Sequence, residues 1–120
     1  MTTTPVIDTT LAIEQAGGNE ELAKELFGML LAELPALREK LVLAVENNQL
    51  DAMWDHAHKI HGSTAYCGVP ALRESIRELE NLIKAGDMDA ISRQLPAVKS
   101  CIEQVLSSGQ AYLGQSWKKD

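Results

Sequence analysis

With 120 residues the chain has the length for one compact core and not for a catalytic domain joined to a second fold. Hydrophobic residues make up 45% of it and aromatics only 4%, so the core must be aliphatic, which suits leucine- and alanine-rich helices better than a β-sandwich. The formal net charge is −6, from 17 acidic and 11 basic side chains, and Lys118-Lys119 is the one basic cluster, which argues against a nucleic-acid partner.

Residues 1–7 are expected as a flexible lead. Asp8 is a suitable N-cap for a short helix holding Leu11, Ala12 and Ile13, which Gly17-Gly18 ends. Too short to stand alone, this helix is expected across the end of a bundle, as a lid on the apolar interior. Asn19 then caps a long helix with Glu20 and Glu21 in its first turn. In it Leu22, Leu26, Met29 or Leu30, Leu34, Leu37, Leu41 and Val45 repeat at helical spacing to about Asn47. Pro35 lacks a backbone donor, yet the stripe keeps phase across it, which favours a kink over a turn. Asn47-Asn48-Gln49 is the polar joint to the next helix, so the two run antiparallel.

The third helix spans roughly 49–67, with Leu50, Met53, Ala57, Ile60, Thr64 and Cys67 on one buried stripe. Gly68 suits a left-handed turn after it, and Pro70 suits the first turn of the following helix. There Leu72, Ile76, Leu79 and Ile83 form the core stripe. Arg73, Glu74, Arg77, Glu78 and Glu80 are assigned to a solvated side, and Gly86 ends the helix. The last helix starts near Asp87 or Asp89 and repeats Met88, Ile91, Leu95, Val98, Ile102 and Val105, with Pro96 leaving the stripe in phase. Beyond Leu106 the Ser107-Ser108-Gly109 stretch weakens the pattern. Tyr112, Leu113 and Trp117 then either dock or belong to a frayed tail over 114–120. The expectation is a single all-α domain over 1–120, an up-down-up-down four-helix bundle with a short N-terminal capping helix.

No apolar run approaches the roughly 18 to 20 residues that span a bilayer, and Met1-Thr2-Thr3-Thr4-Pro5 lacks the basic and apolar segments of a secretory signal. A cytoplasmic setting is expected. Cys67 and Cys101 lie near apolar stripes, neither paired nor at metal-ligand spacing, and are expected as buried free thiols.

The chemistry centres on His58. At about 100° per residue it falls about 120° from the centre of the buried stripe, on the outer face with Asp51, Asp55, Gly62 and Ala65. Gly62 is its i+4 neighbour, and glycine inside a helix costs about 1 kcal/mol relative to alanine, so something must offset it. The simplest offset is access: without a Cβ there, a partner's backbone or a bulky group can approach the ring. An imidazole, with an ordinary pKa of about 6.5, is a competent nucleophile near neutral pH and can form a covalent bond to a phosphoryl group. Lys59 and His61 supply positive or hydrogen-bonding character for phosphate oxygens, His61 with an equal claim to a structural hydrogen bond. Trp54, one turn before His58, suits core-edge packing and partner contact alike.

Three histidines invite a zinc reading, but His56 and His58 differ by about 200° around the helix. Only His58 and His61 could share an ion, without a further ligand in sight, so no metal is assigned. There is no Gly-rich phosphate loop and no kinase-like residue set. The chain is therefore not expected to bind ATP or to phosphorylate itself, and the phosphoryl group must come from another protein.

The run Ala57-His58-Lys59-Ile60-His61-Gly62-Ser63, with Gly68 and Leu72 beyond it, resembles the signature of histidine-containing phosphotransfer (Hpt) domains. The similarity extends over most of the chain: the preceding helix, the Gly68-Val69-Pro70 joint and the two helices after it are like the C-terminal Hpt domain of BarA/GacS-type hybrid sensor kinases. The resemblance implies a phosphocarrier rather than an enzyme. His58 would accept from the aspartyl phosphate of a receiver domain and pass the group to an aspartate of a response regulator. Mg²⁺ would be held by the receiver, with no cofactor in this chain. It also implies that Trp54, Asp55, Gly62 and Ala65 face the docking receiver, that the isolated domain is a monomer, and that it sits on the cytoplasmic side of a membrane sensor kinase. One residue departs from the pattern. Most family members carry lysine where this chain has His61, so phosphate support there is expected to be weaker or more pH-dependent. The competing reading is a non-catalytic helical interaction bundle.

Overall fold

The structure, a computed structural model, describes residues 4–117. Five helices account for the ordered elements: α1 (Thr9–Gln15), α2 (Glu20–Glu46), α3 (Leu50–Thr64), α4 (Pro70–Ala85) and α5 (Met88–Leu113). The last four close a ring in which α2 packs on α3, α3 on α4, α4 on α5 and α5 back on α2. Short joints between neighbours make this an up-down-up-down bundle, with α1 resting against α2.

Capping residues set where the helices begin. Asp8, Asn19 and Asp87 each accept a backbone N–H through a side-chain oxygen, from Leu11, Leu22 and Ala90, at 3.0, 3.0 and 3.1 Å. Removing such a cap costs about 0.5–2 kcal/mol. Pro70 opens α4, where its missing N–H has no helical partner to lose. Pro35 and Pro96 lie inside α2 and α5, which run through them unbroken.

The core is aliphatic, as so few aromatics require. Leu30, Leu34, Leu41, Met53, Ile60, Leu72, Ile76, Leu79, Ile91 and Ile102 are its largest fully buried members beside Phe27. Of the expected stripes, Leu26, Met88 and Leu95 are half-buried against it, while Leu22 and Leu50 stand at helix starts and remain 40% and 38% exposed. Of the pair Met29 and Leu30, the stripe takes Leu30 and leaves Met29 outside. Cys67 is buried and Cys101 half-buried, both as free thiols.

α2 and α5, with 27 and 26 residues, are much longer than α3 and α4, with 15 and 16. At 1.5 Å per residue the long pair reaches about 40 Å and the short pair about 23 Å. The surplus of α2 and α5 packs against itself beyond the end of the short pair. α5 continues through Ser107-Ser108-Gly109, which sequence periodicity alone left in doubt, because Gly109 lets Leu31 close onto its backbone; a Cβ there would lie 2.5 Å from Leu31 Cδ2. Trp117 docks behind it, edge-on to Phe27 with ring centroids 5.6 Å apart, its Nε1 donating to Tyr112 O at 2.7 Å.

α3 ends three residues earlier than the sequence suggested, at Thr64, and residues 65–69 turn the chain into α4. Gly68 takes the left-handed conformation there, with φ 63°. α1 is fastened on this joint: Asp8 N donates to Gly68 O at 2.8 Å, Gly68 N donates to Gln15 Oε1 at 2.9 Å, and a Cβ on Gly68 would lie 2.6 Å from Ala12 Cβ. Of the lead, Met1 to Thr3 lie outside the described residues. Residues 4–7 form no helix but lie along the bundle, Thr4 Oγ1 donating to Glu74 and Ala71 N to Pro5 O, while Val6 and Ile7 pack on the core. Of the expected tail over 114–120, Trp117 is buried and residues 118–120 fall outside the described part.

Among the described residues no helix is long and apolar enough to cross a membrane.

Candidate functional site

α3 buries Met53, Ala57, Ile60 and Thr64 and turns the opposite face outward. On that face His58 stands with 63% of its side chain exposed. Asp55 and Gly62 are exposed with it, and Ala65 is half-buried at the helix end. A Cβ placed on Gly62 would meet nothing within 4 Å. Among the described residues nothing therefore requires glycine at this position. Its helix penalty has no internal offset, and the open space lies on the side from which a partner would come.

The residue that organises the site comes from the neighbouring helix. Glu80 of α4 was assigned to the solvated side of its helix by periodicity; it is buried, with its side chain only 7% exposed. Its Oε2 lies 2.9 Å from His58 Nδ1, and its Oε1 is hydrogen-bonded to His61 Nδ1. Burying a carboxylate is costly unless its oxygens are hydrogen-bonded, and here each oxygen meets an imidazole nitrogen. A carboxylate oxygen can only accept, so the hydrogen on each ring belongs at Nδ1. For the neutral His58 ring this leaves the lone pair on Nε2, on the far side of the ring from Glu80. The sequence carried only part of the signal for Glu80. Both Glu80 and His61 fall about 60–70° from the centre of their own stripes, at the core boundary, and facing boundary positions on packed helices meet.

A second contact holds the ring from its face. Trp54 lies one turn before His58, half-buried, with its indole stacked on the imidazole at a centroid distance of 5.1 Å and an interplanar angle of 15°. Lys84 of α4 carries its ammonium over the same indole, 5.1 Å from the ring centroid.

The structure thus gathers His58, His61 and Trp54 and adds Glu80 and Lys84. Lys59 is exposed and is not drawn into this hydrogen-bonded set, and His56 sits half-buried outside it. Among the described residues no group of three or more His, Cys, Asp or Glu is arranged to hold a metal ion. The two thiols take no part: burial, with the Glu33 carboxylate adding to it, pushes Cys67 up to about 11, and burial likewise raises Cys101.

The fold and site thus place the chain among helical bundles that present a surface histidine with one ring nitrogen held and the other free. Comparison with known proteins gives that class its family. The model of the Hpt domain matches residues 25–108, and the chain belongs to this family: it is an Hpt phosphotransfer domain of a two-component phosphorelay. It is 38% identical over 87 residues to the sensor histidine kinase GacS of Pseudomonas protegens, an alignment covering 72% of this chain and 10% of the kinase. To the signal transduction histidine-protein kinase BarA of Escherichia coli K12 it is 34% identical over 80 residues, covering 67% of this chain and 9% of the kinase. The chain therefore spans about a tenth of the length of these relatives. The crystal structure of the Hpt domain from a Shewanella sensor hybrid histidine kinase superposes with a TM-score of 0.65 at 32% identity, covering 86% of this chain and 95% of that one. Membership of the family implies receiver domains as partners.

Proposed function

We propose that His58 is the phosphoryl acceptor of this domain. The observation that carries the reading is the pairing of an Nδ1 held on buried Glu80 with an exposed ring beside the open side of Gly62. In the transfer the Nε2 lone pair attacks phosphorus in line with the bond to a receiver aspartate. The P–O bond breaks as the P–N bond forms, and the electron pair returns to the aspartate carboxylate. No proton need leave, because Nδ1 keeps its hydrogen on Glu80, and the resulting positive character of the ring is balanced by that carboxylate. The reverse sequence delivers the group to the aspartate of a second receiver.

The domain contributes the nucleophile and its orientation, and catalysis rests on positioning in the complex, with Mg²⁺ brought by the receiver. The docking face is formed by Asp55, Gly62 and Ala65, with Trp54 at its rim. His61 and Lys59 are auxiliary: His61 holds the second oxygen of Glu80, and Lys59 adds charge nearby. By likeness to GacS and BarA, the donor is the receiver of a hybrid kinase and the acceptor a downstream response regulator, both on the cytoplasmic side, and the isolated domain acts as a monomer.

The experiment is phosphoryl transfer from a panel of phosphorylated receiver domains. Acid-labile label should appear on this chain and be abolished by His58→Gln. Retained label in that variant would overturn the assignment to His58, and binding of receivers without any covalent transfer would favour the non-catalytic interaction bundle.

A further inference from the structure

The Cβ–Cγ bond and the hydrogen bond from Nδ1 to Glu80 together define one orientation of the His58 ring. One hydrogen bond holds that orientation weakly: with 63% of the side chain exposed, water can replace it and the ring can swing to another rotamer. Keeping the ring in place calls for a further contact, across its face. Trp54 supplies one, 5.1 Å away and 15° from parallel, and Lys84 from the adjacent helix sits over the indole that makes it. The two constraints come from different helices, Glu80 and Lys84 on α4 and Trp54 on α3 itself.

We propose that Trp54 is a positioning residue for phosphoryl transfer: its indole, steadied by Lys84, fixes the plane of the His58 imidazole so that Nε2 points along one line of approach. This rests on His58 being the acceptor and goes beyond a place for Trp54 at the docking rim. In-line transfer is sensitive to the direction of the attacking lone pair, so a ring that leaves the Glu80-bonded rotamer is misaligned for as long as it stays away. The indole acts a second time as the P–N bond forms. The imidazole keeps hydrogen on Nδ1 while Nε2 takes the phosphoryl group, gaining positive character that an aromatic face attracts. Electrons balance as before: the pair from Nε2 enters the new bond and the pair of the broken P–O bond leaves with the receiver aspartate.

Two variants of the full chain separate the roles. Trp54→Leu keeps apolar bulk at the core edge but has no ring, and Trp54→Phe keeps a planar face. Single-turnover transfer from a phosphorylated receiver domain that labels the parent chain, run over increasing receiver concentration, divides affinity from the rate at saturation. Trp54→Leu is expected to lower the saturated rate about fivefold, which corresponds to about 1 kcal/mol. Trp54→Phe should recover most of it, and nitrogen NMR of the imidazole should show the Nδ1–H form of His58 less populated in the leucine variant than in the phenylalanine one. Equal saturated rates for Trp54→Leu and Trp54→Phe would overturn the proposal, whatever the affinities do. So would a saturated rate for Trp54→Leu within twofold of the parent. His58→Gln is run beside them: label persisting there refutes the acceptor assignment, whereas a silent His58→Gln with an unimpaired Trp54→Leu refutes only the positioning role.

Discussion

Replacing Gly62 is expected to stabilise the fold and impair the function. Gly62 lies in the last turn of α3, faces outward, and leaves a Cβ with no neighbour within 4 Å. Alanine there removes the conformational cost of glycine without a steric penalty, worth about 0.5–1 kcal/mol, toward the lower end because helix ends fray. For a domain of 120 residues, at about 2.1 cal/mol/K of unfolding entropy per residue, that raises Tm by about 2–4 °C. Calorimetry or thermal circular dichroism of Gly62→Ala reads the gain. The same methyl group occupies the space through which the receiver is proposed to reach His58, so transfer at fixed receiver concentration should fall, modestly for Gly62→Ala and severely for Gly62→Leu. The reasoning fails if Gly62→Ala melts lower than the parent, which would mean that the position is packed. It fails equally if Gly62→Leu transfers at the parent rate, because glycine would then have no function to offset its cost.

Gly109→Ala should have the opposite sign of stability effect. Its new methyl group would press on Cδ2, Cδ1 and Cγ of Leu31, and overpacking of this kind costs about 1–3 kcal/mol, readable as a lower urea midpoint. Substitutions at Glu80 should rank transfer as Glu above Gln above Leu, since glutamine has one carbonyl oxygen to share between His58 and His61 and leucine has none; unchanged transfer in Glu80→Leu would remove the anchoring argument. Asp87→Ala, which deletes the side-chain cap on Ala90 N, should lower stability by about 0.5–2 kcal/mol while leaving transfer intact. The raised Cys67 pKa means the protonated thiol dominates well past pH 8, with a thiolate fraction of about one in a thousand there. A disulfide reagent at pH 8 should therefore modify Cys67 only as fast as the protein opens, and at once in denaturant.

How far the sequence could be read depended on whether a feature belongs to one helix or to two. Caps at Asp8 and Asn19, the stops at Gly17 and Gly86, and the outward placement of His58 and Gly62 are properties of single segments, and the structure has them where the sequence put them; for α5, which the sequence started near Asp87 or Asp89, the cap is Asp87. Glu80 was missed because angular position gives a face and not a neighbour. Its burial becomes visible only once α4 is laid against α3 and two boundary histidines present their nitrogens to it. The stacking of Trp54 was open for a similar reason, since an i, i+4 pair can touch or splay and the choice is made partly by Lys84 across the groove. Leu22 and Leu50 kept the right phase but stand at helix starts, where fewer neighbours remain to cover them. The run of α5 through Ser107-Ser108-Gly109 was illegible because the glycine that weakens the helix locally is what admits Leu31.

The mismatch between long and short helices divides the molecule along its 48 Å axis. One end is a four-stave barrel bearing the exposed imidazole; the other is the overhang of α2 and α5, with α1 against α2, packed through Phe27, Leu31, Gly109 and Trp117. Changes in the extension should move the melting temperature with no effect on turnover, and a fluorophore placed on its outer side would report on complex formation without standing in the receiver's path.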